Sequence, residues 1–155
     1  MIPRLFAAAA LVVSLAVPLA ARADDGVPPP GTVLTGTFDH PIDSRTSDVL
    51  EPFTLTGVAS DDRTYRGGRI FGHLTRVVRA TKNGHAEIDF VFDAYIAPTG
   101  RRYPMQGRAV DLRVPAKRDA PPVPLGVVGT GIVAMKTNTD VTLPPRTMVQ
   151  LQVTP

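Results

Sequence analysis

Residues 86–96 read AEIDFVFDAYI, and this stretch decides the fold. Ala86, Ile88, Phe90, Phe92, Ala94 and Ile96 fall on one side of a period-two alternation, with Glu87, Asp89 and Asp93 on the other. A pleated strand sends successive side chains to opposite faces, so the pattern predicts a half-buried strand with the apolar set inward. Just upstream, Lys82-Asn83-Gly84-His85 carries the Asn-Gly pair of a tight hairpin. Residues 69–79 (RIFGHLTRVVR) precede that turn as a second strand. There Ile70, Gly72, Leu74, Arg76 and Val78 share one face, and Phe71, His73, Thr75, Val77 and Arg79 the other. Downstream, residues 97–101 (APTGR) turn the chain and residues 103–114 return as a third strand. The centre of the sequence therefore predicts an antiparallel meander.

The same grammar extends to both sides. Residues 31–38 (GTVLTGTF) and 51–59 (EPFTLTGVA) are strand-like, with Phe53, Leu55 and Gly57 opposite Thr54, Thr56 and Val58. Residues 41–48 and 60–68 are polar loops. Residues 142–153 (TLPPRTMVQLQV) close the chain as a strand in which Val149, Leu151 and Val153 alternate with Gln150 and Gln152. Residues 115–124 (PAKRDAPPVP) break regular structure, and residues 125–135 (LGVVGTGIVAM) suit a short buried helix and a glycine-rich strand equally. The sum is an all-β domain over residues 31–155: a small antiparallel β-barrel or barrel-like sandwich of six to seven strands.

Composition agrees once the first 23 residues are set aside. The remaining 132 contain 16 Val and 16 Thr against 3 Lys and 2 Glu, a strand-forming and helix-poor mixture. The removed stretch, MIPRLFAAAALVVSLAVPLAARA, reads as an export signal. Arg4 supplies its positive end and residues 5–19 its apolar run, and Ala21-Arg22-Ala23 forms a cleavage site that leaves Asp24 as the new N-terminus. The alternative is a retained anchor, against which stand the shortness of the run and Pro18 near its end. Without cysteine there is no lipid attachment and no disulfide. The expected location is the periplasm or the exterior of a bacterium. A proline-rich lead-in, residues 24–30, joins the signal to the domain, and no membrane span is expected after cleavage.

Charge says little about partners. Loss of Arg4 and Arg22 lowers the basic count from 17 to 15 against 14 acids, so the formal charge falls from +3 to +1. A nucleic-acid partner is thus not indicated. His40, His73 and His85 lack metal-ligand spacing. Ser44, Ser47 and Ser60 lie in polar loops without a nucleophile elbow. Asp43 and Asp48, with Asp61 and Asp62, are the carboxylates from which a glycosidase-like pair would have to come, and turn capping explains them as well. No metal, cofactor or catalytic set is assigned, and the chain is read as non-enzymatic. Arg66, Arg69, Arg101 and Arg102 are the candidate interaction surface. Arg76 keeps phase with Ile70 and Leu74, and Arg79 with Phe71 and Val77, so the third strand offers no single basic face.

Several segments resemble the β-barrel domain of the TrbI-like family, the core scaffold of conjugative type IV secretion channels. They are residues 31–37 (GTVLTGT), 42–45 (IDSR), 67–74 (GGRIFGHL), 88–90 with 96–105 (IDF and IAPTGRRYPM), and 143–147 (LPPRT). The resemblance implies a barrel in an envelope setting. That family places a membrane helix and a proline-rich stalk before its barrel, whereas seven residues separate Ala23 from Gly31 here. The expected function is that of an exported binding or assembly module that meets an envelope protein or copies of itself. The alternatives are a secretion-channel component and an envelope hydrolase.

Overall fold

The computed structural model describes residues 26–115, 125–128, 131–134 and 137–155. The signal segment, the Ala23–Asp24 cleavage site and most of the proline-rich stretch before residue 125 lie outside the described residues. The described residues form eleven strands: β1 (Val33–Phe38), β2 (Ile42–Asp43), β3 (Pro52–Ala59), β4 (Arg69–Val78), β5 (Glu87–Ile96), β6 (Arg102–Pro104), β7 (Gln106–Arg113), β8 (Leu125–Val128), β9 (Gly131–Ala134), β10 (Thr142–Leu143) and β11 (Met148–Thr154). One 3-10 turn, Arg63–Tyr65, is the sole helical element among the described residues. The predicted all-β class is the one observed.

The sheet runs β7-β11-β1-β3-β4-β5-β9-β8, every pairing antiparallel, with β6 also on β5. β6 and β7 are one stave bent at Met105. Its first part pairs with β5 and its second with β11, which closes the sheet on itself at one end. At the other end β5 and β7 diverge, and β8 with β9 fills the gap, β8 coming within 8 Å of β7. Six long staves thus make a nearly closed barrel with a wedge in its seam. Residues 125–128 and 131–134 supply that wedge as two paired strands, so of the helix and the strand left open by the sequence it is the strand that forms at these residues. Gly126, Val127, Ile132 and Val133 lie in the paired segments, and β-branched side chains favour a strand.

Curvature comes from bulges, each an extra residue that bends its strand and inverts the alternation beyond it. Thr35 faces Ala59 while Thr37 faces Thr56, so Gly57 and Val58 oppose Gly36 alone. Gly57 takes φ +62°, a left-handed value that a side chain would resist. Val58 is buried in consequence and Gly57 exposed, the reverse of simple alternation. Thr75 is the extra residue on β4, Asp93 on β5 and Val110 on β7. Past Thr75 the inward residue is Val77 and Arg76 turns to solvent. Past Asp93, Tyr95 is buried opposite Ile70, and Ile96 emerges opposite Arg69. The straight alternation read for residues 69–79 and 86–96 fails at these two points.

The interior is filled. Phe53 sits edge-on to Phe38, Phe90 and Phe92, with centroids 5.2, 5.8 and 6.0 Å away. Edge-to-face contact of this kind is the favoured geometry for aromatic pairs. Tyr65 and Tyr95 (5.8 Å apart) close one end of the barrel. There the Tyr95 hydroxyl donates to the Tyr65 carbonyl at 3.2 Å. A two-stranded sheet of β2 and β10 caps the other end, burying Ile42, Val141 and Leu143 completely. Those two strands had read as loop and as part of the last strand. Outward positions on β1, β11 and β7 include the polar Thr35, Thr37, Gln150, Gln152, Arg108 and Arg113, with Val33, Val110 and Met148 as exposed apolar exceptions. This polarity is opposite to that of an outer-membrane barrel, which is apolar outside and polar within.

Candidate functional site

On the outer face of β4, β5 and β6, Arg69 stands opposite Ile96 and Ile96 opposite Arg102. Strands in a sheet are spaced by about 4.8 Å, so the two arginines rise roughly 10 Å apart with one isoleucine between them. The Arg102 guanidinium lies 5.2 Å from the centroid of Phe71, two residues along β4. Arg101 lies 5.3 Å from the Tyr103 ring, and Tyr103 stacks at 6.5 Å on the buried Tyr95. Two of the three arginines therefore rest on aromatic rings, and one of those rings packs directly on the core.

Local sequence explains the arrangement. Ala97-Pro98-Thr99-Gly100-Arg101 makes a turn in which the Gly100 N–H donates to the Ala97 carbonyl and the Ala97 N–H to the Arg101 carbonyl. Gly100 adopts φ +85°, which glycine accommodates without strain. The turn sets Arg102 directly across from Ile96, and the Asp93 bulge brings Ile96 outward.

Several other cations have partners, whereas Arg63, Arg79, Lys82 and Arg146, like the candidate arginines, have no carboxylate within 4 Å among the described residues. Arg45 bonds Asp43, Arg76 pairs with Glu87 at 3.3 Å, Arg113 meets Asp111 at 3.0 Å, and Arg108 donates to Gln152 at 2.9 Å. Arg69, Arg101 and Arg102 have no carboxylate within 4 Å among the described residues and are exposed. Arg66 does not join them. Its Nε donates to the Ser60 carbonyl at 2.9 Å, and it lines a separate surface cavity of about 400 Å³ with Thr35, Asp61 and Gln150. The structure thus places Arg69 and Arg102 on one outer face, while Arg101, next to Arg102 in the turn, rests on Tyr103, whose ring turns toward the buried Tyr95.

The carboxylates divide between opposite ends of the barrel. Asp43 accepts from Arg45 through both oxygens (3.1 and 2.9 Å) and from the Thr142 hydroxyl at 3.0 Å. These bonds, chiefly those from Arg45, hold its carboxyl at about 2, below the ordinary 3.8. Asp48 lies in the same loop. Asp62, at the far end, caps the 3-10 turn by accepting from the Thr64 N–H at 2.9 Å, which lowers its pKa. Asp61 neighbours Arg66 in the cavity.

Each histidine has a near partner. His40 Nδ1 lies 2.7 Å from Asp39, His73 Nδ1 2.8 Å from Asp93, and His85 Nδ1 2.8 Å from the Ala134 carbonyl. No group of three or more His, Asp or Glu placed to hold a metal occurs among the described residues. The His73–Asp93 pair escaped the sequence reading, because the bulge at Asp93 is what brings it together. The one visible sign of that bulge is the unbroken run Ala94-Tyr95-Ile96, where alternation lapses.

No protein-family model, no curated protein and no solved structure matched this chain.

Proposed function

We propose that the chain is an exported, non-enzymatic β-barrel module that works in the bacterial envelope by binding a partner protein through the β4–β5–β6 face. The observation that carries this reading is the pair Arg69 and Arg102 flanking Ile96 on the outer face, both exposed and without a carboxylate within 4 Å among the described residues, with Arg102 and the neighbouring Arg101 each seated on an aromatic ring. Arginine and aromatic residues supply much of the binding energy in protein interfaces, because a planar cation on a ring is already ordered before the partner arrives. The filled interior supports the same reading from the other side. A barrel packed with phenylalanine and capped at both ends offers its outer surface to ligands. The signal-like first 23 residues motivate the envelope location.

The test is chemical crosslinking in intact cells, followed by purification of the tagged protein. A discrete adduct with one envelope protein is expected; a free monomer under every crosslinking condition would contradict the proposal.

A second reading, a component of a TrbI-like secretion channel, draws on one observation. A TrbI-like scaffold carries an insert that reaches the outer membrane, and the β8–β9 wedge lies at about that chain position in the seam, though it is much shorter than such an insert. It calls for ring-shaped oligomers by electron microscopy, and a monomer at micromolar concentration removes it.

A further inference from the structure

We infer that the β4–β5–β6 face is built for an acidic segment of the partner, whose carboxylates pair with Arg69 and Arg102 across Ile96. The inference rests on the binding-module reading and specifies the partner's chemistry.

The carboxylates nearest in sequence are already engaged elsewhere or lie in the adjoining loop. Asp62 caps the 3-10 turn, Asp93 is paired with His73, and Asp61 lies beside Arg66 in the neighbouring cavity. A cation with no counter-charge beside it among the described residues pairs favourably with one brought by a ligand. Guanidinium groups suit carboxylates in particular, since two parallel N–H donors match the two oxygens. Between the two arginines Ile96 is half-buried and available for apolar contact.

Two other anionic partners fit less well. Bound single-stranded nucleic acid stacks its bases on exposed aromatic faces, and a membrane surface takes up protruding aromatic and apolar side chains. Here the Phe71 ring lies beneath Arg102 and the Tyr103 ring is shared by Arg101 and Tyr95. Three arginines also form too small a track for phosphate-driven binding, which typically draws on about six to ten contacts.

The experiment is fluorescence anisotropy on the full mature chain. The probes are a fluorescein-labelled peptide of alternating Glu and Ser, a labelled single-stranded oligonucleotide, and vesicles of phosphatidylcholine with phosphatidylglycerol. The peptide is expected to bind, more weakly as salt rises, and to lose about tenfold or more in affinity with Arg69→Gln plus Arg102→Gln. Arg79→Gln plus Arg146→Gln, changed at the opposite end of the barrel, serves as the charge-matched control and is expected to bind as the parent does. Circular dichroism melts of every variant separate lost binding from lost folding. Preferential binding of the oligonucleotide or the vesicles, equal loss in the control, or no binding of the peptide would each overturn the inference. A crosslinked envelope partner that survives Arg69→Gln plus Arg102→Gln would preserve the module and remove only this assignment of its face.

Discussion

The Ser44 hydroxyl donates a 2.9 Å hydrogen bond to Asp140 Oδ1, joining residues 96 positions apart. The same hydroxyl oxygen accepts the Val141 N–H at 3.1 Å, and Asp140 Oδ1 also accepts the Ala80 N–H at 3.2 Å. Ser44 is completely buried, so this junction fastens the β2–β10 cap to the barrel. Ser44→Ala strands the Val141 N–H away from water. An unsatisfied buried donor costs about 1–3 kcal/mol, and urea unfolding of the variant is expected to show a loss of that size. An unchanged midpoint would mean that the cap contributes nothing to stability.

The cap should also carry a pH signature. Asp43 has its carboxyl at about 2 in the folded chain against an ordinary 3.8. A carboxyl more acidic when folded stabilises the fold above the unfolded value and loses that contribution as pH falls through the folded one. The loss should therefore develop from about pH 4 to about pH 2. The Arg45 side chain is 62% exposed, so solvent screens the pair and its contribution is small. Asp43→Asn is expected to flatten this part of the stability profile, as followed by urea midpoints across the acid range.

Two glycines should respond differently to the same substitution. A Cβ at Gly72 would meet the Val91 carbonyl and the Phe53 ring, one of them rigid backbone. Overpacking of this kind costs about 1–3 kcal/mol. At Gly57 a Cβ meets open space, and the strain comes from φ +62° alone. That penalty is about 1–2 kcal/mol, partly offset because alanine loses less chain entropy on folding. Gly72→Ala is expected to lower the melting temperature more than Gly57→Ala. The reverse order would argue against the close approach of the Val91 carbonyl on β5 and the Phe53 ring on β3 to Gly72.

Leu50 offers a gain. It adopts φ 71° and is 70% exposed, while its N–H donates to the Leu74 carbonyl at 2.8 Å. A left-handed backbone without a buried side chain is strain with no packing in return. Leu50→Gly is expected to stabilise the chain by up to about 1 kcal/mol, with the entropy cost of glycine reducing the gain. Calorimetry would check it.

The strands were legible because the core here is Val, Ile, Leu and Phe at period two. Ile88, Phe90 and Phe92 are buried as their alternation requires, and so are Val149, Leu151 and Val153. What the sequence hid was the bulges. Thr75 carries no local mark of an extra residue and Asp93 only the unbroken run Ala94-Tyr95-Ile96 after it, yet each reverses the faces beyond it. Arg76, read as in phase with the core, instead pairs with Glu87 at the surface. Ile96, read as core, stands between Arg69 and Arg102. The arginines themselves were visible. Their grouping depended on register across three strands, which is decided by long-range pairing. The β2–β10 cap was obscure for another reason. Two-residue strands have no period to detect, and only the closeness of Asp43 to Thr142 and of Ile42 to Leu143 defines them.

The central claim is that a barrel with a filled interior acts through its β4–β5–β6 face. The most direct measurement places a photo-crosslinking amino acid at Ile96 and, in a second strain, at Val110, an exposed bulge residue on β7. After irradiation of intact cells, position 96 should give a specific adduct with an envelope protein and position 110 should not. Adducts from position 110 alone, equal adducts from both positions, or none from position 96 would contradict the claim.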